Sequence, residues 1–331
     1  MITPSISDIL PSIPPYLDVD VTNQCNVKCS FCSVSATNRK KDNEIGGNNW
    51  LSFFERTRGL PLFKVSLLGG EPLMVPEIYD IIQALDSMEV DTTVSTNGLM
   101  LDELTVMRLA ESGLSNLQVS IDYPISDLHD KSRNKKGLFE RAIEGLSLAR
   151  KFWLRCTINF VVTKNSLPYI EGMNELAEDM DIGLVLSEFK PVGRGAEMLH
   201  EIISHEDFYK LRNSKYVSLA PFFLDSITTG RQYCSIGLDR LYIDEIGDIY
   251  PCDLYRPYKK LGNIMADDIS DIWLNSSVLN DFREFKYGKS MPHKNTKCGL
   301  CGIFSHCRSG CLALAELHGG HAYSGDPRCA K

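Results

Sequence analysis

Six short runs, each apolar along one side, restrict this chain to one kind of sheet. They lie near 16–22, 63–68, 91–97, 116–122, 153–162 and 183–190, with helical periodicity between them near 48–58, 75–88, 101–112, 137–151 and 166–180. Strands alternating with helices predict a parallel sheet. In 116–122, Leu117, Val119 and Ile121 share one side and Gln118, Ser120 and Asp122 the other. The polar side of 91–97 is Thr93, Ser95 and Asn97, and that of 17–22 is Asp18, Asp20 and Thr22. Flat parallel sheets covered on both sides read instead as nearly unbroken apolar runs. A persistent polar face predicts strands curved around a solvated lumen. The expected fold is an α/β incomplete TIM-like barrel, with its chemistry at the C-terminal ends of the strands. Half-exposed antiparallel strands would alternate in the same way, but the intervening helices weigh against them.

The loop leaving the first strand reads Cys25-Asn26-Val27-Lys28-Cys29-Ser30-Phe31-Cys32. Three thiolates on one tight loop can hold three irons of a [4Fe–4S] cube, leaving the fourth iron open to a substrate or cofactor. A zinc site would want a fourth nitrogen or sulfur donor at matched spacing, and no His or Cys lies near residue 32.

The CxxxCxφC spacing, with Phe31 before the last cysteine, resembles the signature of the radical S-adenosylmethionine (SAM) superfamily. That resemblance covers about residues 16–195 and implies a partial (β/α)6 barrel. It also implies that SAM binds the open iron and is cleaved to a 5′-deoxyadenosyl radical, which abstracts hydrogen from substrate. Gly69-Gly70-Glu71-Pro72, one strand further on, matches the family's GGEP motif and is expected to grip the SAM amino group. Ser95 and Asn97 resemble ribose contacts, and Ser120 and Asp122 are candidates for SAM or substrate. Arg133 resembles the arginine that pairs with the SAM carboxylate. Arg194 either touches SAM or substrate, or hydrogen-bonds loop carbonyls. Cys156 lies near the N-terminal end of its strand on the apolar side, and a buried, inert thiol is the expected role. The alternative, a hydrogen donor to a substrate radical, would place it at the mouth.

Beyond residue 231 the composition changes. Cys234 is followed by Gly247 and Cys252, then by Cys298, Cys301, Cys307 and Cys311, and last by Cys329. This order resembles the SPASM domain, a small cysteine-rich iron–sulfur extension of many radical SAM enzymes; a zinc ribbon would use four of these cysteines and leave the rest unexplained. The resemblance implies two auxiliary [4Fe–4S] clusters, three clusters in all. Cys298, Cys301, Cys307 and Cys329 would hold one completely, and Cys234, Cys252 and Cys311 the other with three ligands. The expected organisation is an N-terminal extension at 1–15, the barrel at 16–195, a bridge at 196–231 and the SPASM domain at 232–331. Tyr250-Pro251-Cys252-Asp253-Leu254-Tyr255 is similar to sulfatase-maturing enzymes, which makes Asp253 a candidate general base; a structural hydrogen-bonding role is the alternative.

The 331 residues are 43% hydrophobic and 24% charged, as in an ordinary globular chain. A net charge of −8 without a Lys/Arg run argues against a nucleic-acid binder. No stretch has the apolar length of a membrane span. The N-terminus lacks a signal-peptide pattern, so a cytoplasmic, reducing setting is expected for eleven cysteines. The family resemblance implies an oxidoreductase that modifies a peptide, most of all a ribosomally made precursor that is cross-linked, epimerised, spliced or oxidised. Sulfatase-maturase-like oxidation of a peptidyl Cys or Ser is one alternative, and a sugar or aminoglycoside dehydrogenase or epimerase another. A ferredoxin-type electron carrier is a third, though it has no reason to keep GGEP beside an open cluster. Only about fifteen residues precede the first strand, so the substrate is expected to be recognised either by a separate small recognition protein or by the barrel mouth alone. An external reductant of flavodoxin or ferredoxin type is another.

Overall fold

The computed structural model describes residues 10–204, 206–207, 211, 235–256, 258–287, 298–302, 304–322 and 324–329. The first six strands run β1 Tyr16–Thr22, β2 Lys64–Gly69, β3 Asp91–Thr96, β4 Asn116–Ser120, β5 Cys156–Val162 and β6 Gly183–Glu188. They are parallel neighbours in sequence order, as the alternation predicts. The helices between them are α1 Gly47–Arg56, α2 Ile78–Asp86, α3 Glu103–Glu111, α4 Ser126–Arg133, α5 Leu138–Lys151 and α6 Ile170–Asp179. Leu17, Val19 and Val21 of β1 are buried on the helix side, as are Ile158, Phe160 and Val162 of β5. Each fully buried side chain of this size contributes about 2 kcal/mol or more. Trp50 and Phe54 of α1 are completely buried, and the Trp50 indole N–H donates to the Val21 carbonyl (3.2 Å).

On the opposite face the register aligns Asp18 with Ser66, Ser95 with Gln118, and Ser120 with Asn159. That face lines the lumen. The sheet curls far enough for the segment after β6 to meet the loop after β1, where the Arg194 amide donates to the Cys32 carbonyl (2.9 Å). β6 and β1 are not paired with each other, so this is an incomplete barrel.

Two features are not legible in the alternation. One is α4, a polar helix of eight residues that ends at Asn134 in the left-handed conformation (φ 54°). The other is a hairpin, β7 Arg240–Ile243 and β8 Asp248–Tyr250, followed by β9 Gly262–Asn263. β7 pairs parallel to β1, and β8 and β9 continue antiparallel, so one nine-stranded sheet runs in the order β6-β5-β4-β3-β2-β1-β7-β8-β9. The hairpin shares the barrel core through Leu241, Ile243 and Ile249, joined by Trp273 of α7, Ile269–Asn275.

A second core gathers the remaining C-terminal elements: α8 Ser277–Tyr287, α9 Phe304–Cys307 and α10 Leu312–Gly319. Its centre is Leu254, Tyr255, Phe282, Phe285, Phe304 and Leu312. Among the described residues no helix is long and apolar enough to cross a membrane.

Candidate active site

The cysteine loop is fixed at both ends by its own backbone. The Cys25 amide donates to the Thr37 carbonyl (2.6 Å) and the Thr37 amide to the Asn23 carbonyl (3.2 Å). The Glu44 carboxylate accepts from the Thr22 hydroxyl (2.7 Å) and the Asn23 amide (3.1 Å), anchoring the point where β1 becomes loop. Cys25 is buried with Val27, Ala36 and Leu138, and Cys29 and Cys32 pack against this group. All three thiols are free. N–H groups already point at two of the sulfurs: Asn97 Nδ2 at Cys25 Sγ (3.8 Å) and the Ala36 amide at Cys32 Sγ (3.4 Å). Burial pushes the Cys25 thiol up to about 12 and raises that of Cys29, with Arg133 pulling Cys29 the other way. Such sulfurs ionise when a metal compensates the charge. Among the described residues no group of three Cys, His, Asp or Glu side chains gathers closely enough to hold a metal ion. Three cysteine thiols on one loop are the donor type that an iron–sulfur cluster takes.

The Gly-Gly-Glu-Pro segment lies directly against this loop. The Gly70 amide donates to the Thr22 carbonyl (2.7 Å) and the Glu71 amide to the Gln24 carbonyl (2.8 Å). A Cβ on Gly70 would sit 2.2 Å from the Gln24 oxygen, and one on Gly69 (φ 119°) would sit 2.3 Å from the Thr22 oxygen. No side chain fits at either position. Glu71 is completely buried. Its carboxylate accepts from the Thr96 hydroxyl (2.7 Å), the Asn97 amide (2.9 Å) and the Leu73 amide (3.3 Å). Glu71 thus ties the motif to the end of β3, and Pro72 opens the short 3-10 turn Pro72–Met74 that follows. Asn97 joins the same latch, donating to Asn26 Oδ1 (2.8 Å). Ser95 and Ser120 remain on the lumen face, partly exposed.

Asp122 and Arg133, which the sequence presents as two separate contacts, are brought together. Arg133 Nε and Nη2 bond the two carboxylate oxygens at 2.7 and 2.9 Å, with both side chains buried. The Ser132 hydroxyl adds a third bond to Asp122 (3.1 Å), and His129 Nδ1 accepts from the Asp122 amide (3.1 Å). Burial lowers the His129 imidazole to about 4, so it is neutral. The guanidinium lies 5.7 Å from the Phe31 ring. The Ser30 hydroxyl donates to the Ser132 carbonyl (3.2 Å), so α4 docks on the cysteine loop. Removing one partner strands a buried charge. Arg133→Met is expected to destabilise the protein by about 3–5 kcal/mol in urea unfolding, and the double variant Asp122→Leu/Arg133→Met by markedly less.

Arg194 hydrogen-bonds loop carbonyls. Its Nε donates to the Cys29 carbonyl and its Nη1 to the Ala36 carbonyl, both at 2.7 Å. Cys156 is buried, its Sγ 3.2 Å from the Leu154 carbonyl at the start of β5, and burial pushes its thiol up to about 11. It lies at the end of the strand away from the mouth, where a packing role fits.

In the C-terminal part, Cys252, Cys298, Cys301 and Cys311 gather in or against the second core. Cys307 and Cys329 lie within electrostatic reach of one another, and burial raises the Cys307 thiol. Cys234 lies outside the described residues. Asp253 forms an ion pair with Lys190, beyond the end of β6, and its Oδ1 accepts from the Leu254 amide (3.0 Å).

A buried charge cluster at the β1–β7 seam escapes sequence reasoning. Arg256 Nη1 reaches Asp20 (3.1 Å) and its Nη2 reaches Glu245 (2.7 Å); the Tyr242 hydroxyl also bonds Asp20, and Lys41 pairs with Glu245 (2.6 Å). Burial pushes the Asp20 carboxyl up to about 7 against the pull of Arg256. Asp20 on the polar face of β1 is the one available signal. Its partners follow only from the pairing of β7 with β1.

The Radical SAM superfamily model matches residues 19–175, and an iron–sulfur cluster-binding domain model, SPASM, matches residues 234–307. The chain belongs to the radical SAM superfamily. It is an enzyme of the architecture that joins the radical SAM core to a small cysteine-rich SPASM domain. It is 25% identical over 334 residues to mycofactocin maturase MftC of Mycobacterium tuberculosis, covering 96% of this chain and 83% of that protein. It is 26% identical over 348 residues to the AdoMet-dependent heme synthase of Methanosarcina barkeri, covering 96% of each. Among solved structures, SuiB of Streptococcus suis bound to the precursor peptide SuiA superposes with a TM-score of 0.77 at 21% identity. That match covers 98% of this chain and 77% of SuiB, and it shows the shared fold.

Proposed function

We propose that this radical SAM enzyme matures a ribosomally synthesised precursor peptide, abstracting hydrogen from it within the barrel. The observation that carries this reading is the lumen: a row of small polar groups, Ser66, Ser95, Gln118, Ser120 and Asn159, along strands whose barrel is left incomplete between β6 and β1. An open polar groove suits an extended peptide, whose backbone needs hydrogen-bonding partners. The SuiB fold holding a precursor peptide and the maturase among the relatives support the same class of substrate.

When bound to Cys25, Cys29 and Cys32, a [4Fe–4S] cluster with SAM supplies the 5′-deoxyadenosyl radical. The chain's own residues place and shield that chemistry. The edge of Gly69 and Gly70 would let backbone groups meet the SAM amino group, with Glu71 and Asn97 holding that edge. Arg133, fixed by Asp122, would pair with the SAM carboxylate. Ser95 and Ser120 meet the ribose or the substrate. Asp253 accepts a proton from the substrate. Two further clusters are assigned to the C-terminal cysteines, giving three. The reductant is a flavodoxin- or ferredoxin-type protein in the cytoplasm, and a small recognition protein brings the precursor to the mouth, raising its local concentration.

The test is mass spectrometry of candidate precursor peptides after anaerobic turnover with SAM and reductant, with and without a small neighbouring-gene protein. The expected result is a peptide mass change that depends on SAM and is faster with the partner. Turnover of a free sugar, an aminoglycoside or a porphyrin with every peptide unchanged would remove the peptide reading.

A further inference from the structure

The segment leaving β6 touches each of the three cysteine regions in turn. Glu188, the last residue of β6, pairs with Arg328, which immediately precedes Cys329. Arg328 also holds Asp326 (2.5 Å), whose carboxylate accepts from the Cys311 amide (2.9 Å). Two residues on, Lys190 pairs with Asp253, which immediately follows Cys252. Val192 then packs against the second core, as do Cys252, Cys298 and Cys301. Gly193 (φ 58°) presses on the first cysteine loop so closely that a Cβ would sit 2.3 Å from the Ser33 oxygen and 2.5 Å from the Cys32 oxygen. Arg194 completes the series through the Cys29, Cys32 and Ala36 carbonyls.

We propose that Glu188 to Arg194 is a strap that sets the spacing of the three cysteine loops, with Glu188, Lys190 and Arg194 as positioning residues. The inference rests on the reading of those loops as cluster sites. Its physical basis is that one short segment, rooted in an edge strand, makes charged or backbone contacts beside ligands from all three groups. Each contact is to the backbone of a cysteine or to a nearby residue and leaves the sulfur itself to the metal. β6 pairs with β5 alone among the described strands, so the strap is fixed by these contacts rather than by a second strand. Interactions between metal centres fall steeply with separation. A segment that fixes their relative positions therefore controls coupling without supplying a ligand.

The experiment uses the reconstituted holoenzyme and its Glu188→Gln, Lys190→Met and Lys190→Arg variants. Iron content and electron paramagnetic resonance of the reduced clusters are measured in the absence of substrate. Glu188→Gln and Lys190→Met are expected to keep the parent iron content while the relaxation enhancement between reduced clusters falls at least twofold, and Lys190→Arg to restore it. Unchanged relaxation with full iron would overturn the proposal. Loss of iron from either variant would also overturn it, because the pairs would then be holding the ligands rather than their spacing. The measurement needs no peptide, so a parent enzyme that modifies none would defeat the proposed substrate and leave this result standing.

Discussion

Replacing Cys25, Cys29 and Cys32 together by alanine should remove about four iron atoms per chain and abolish SAM cleavage, while about eight irons remain. The three sulfurs come from one loop with backbone anchors at both ends, so their loss should empty one site without unravelling the C-terminal cysteines. Those belong to a separate apolar core around Tyr255, Phe282 and Phe304. Iron and acid-labile sulfide, measured after anaerobic reconstitution, check the count. Formation of 5′-deoxyadenosine checks the chemistry. A triple variant that still cleaves SAM would remove this loop from the active site. Zinc in place of iron at the C-terminal cysteines would remove the auxiliary clusters from the assignment.

The barrel strands are legible because most of the apolar residues of each fall on one side. Leu17, Val19 and Val21, or Ile158, Phe160 and Val162, announce both the strand and the face it buries. The cysteine loop and Gly69–Pro72 are legible because their spacing is rigid and local. Contacts between distant segments are not. Asp122 and Arg133 each look like a ligand contact, yet α4 brings them into a single buried pair. That helix is polar enough to read as loop, since its packing rests on His129 and Arg133 rather than on an apolar stripe. The seam of Asp20, Tyr242, Glu245 and Arg256 depends on β7 joining β1 across more than two hundred residues. No periodicity within either strand specifies which strand it will pair with. For the same reason nothing in the sequence marks the strap, although Glu188, Lys190 and Arg194 each stand in plain view.

Asp253→Asn should keep its iron and its SAM cleavage but lose product formation by about a hundredfold or more, the usual size of a general-base contribution. Asparagine has nearly the same shape and can still accept from the Leu254 amide through its oxygen, a bond now 3.0 Å long. What it cannot do is take a proton. The carboxylate is well placed to do so, because it adjoins Cys252, is partly exposed and lies within electrostatic reach of Asp20 on the lumen face of β1. Its ion pair with Lys190 is a constraint as well as a support, because a carboxylate facing an ammonium has one oxygen engaged and the other bonded to the backbone. Proton transfer then requires substrate to displace one of these partners. Lys190→Met separates the two roles: the freed carboxylate should still support turnover, whereas Asp253→Asn should not. Loss of iron in Asp253→Asn would instead mark the residue as structural. Full product formation in that variant would send the search for the base to another group at the mouth.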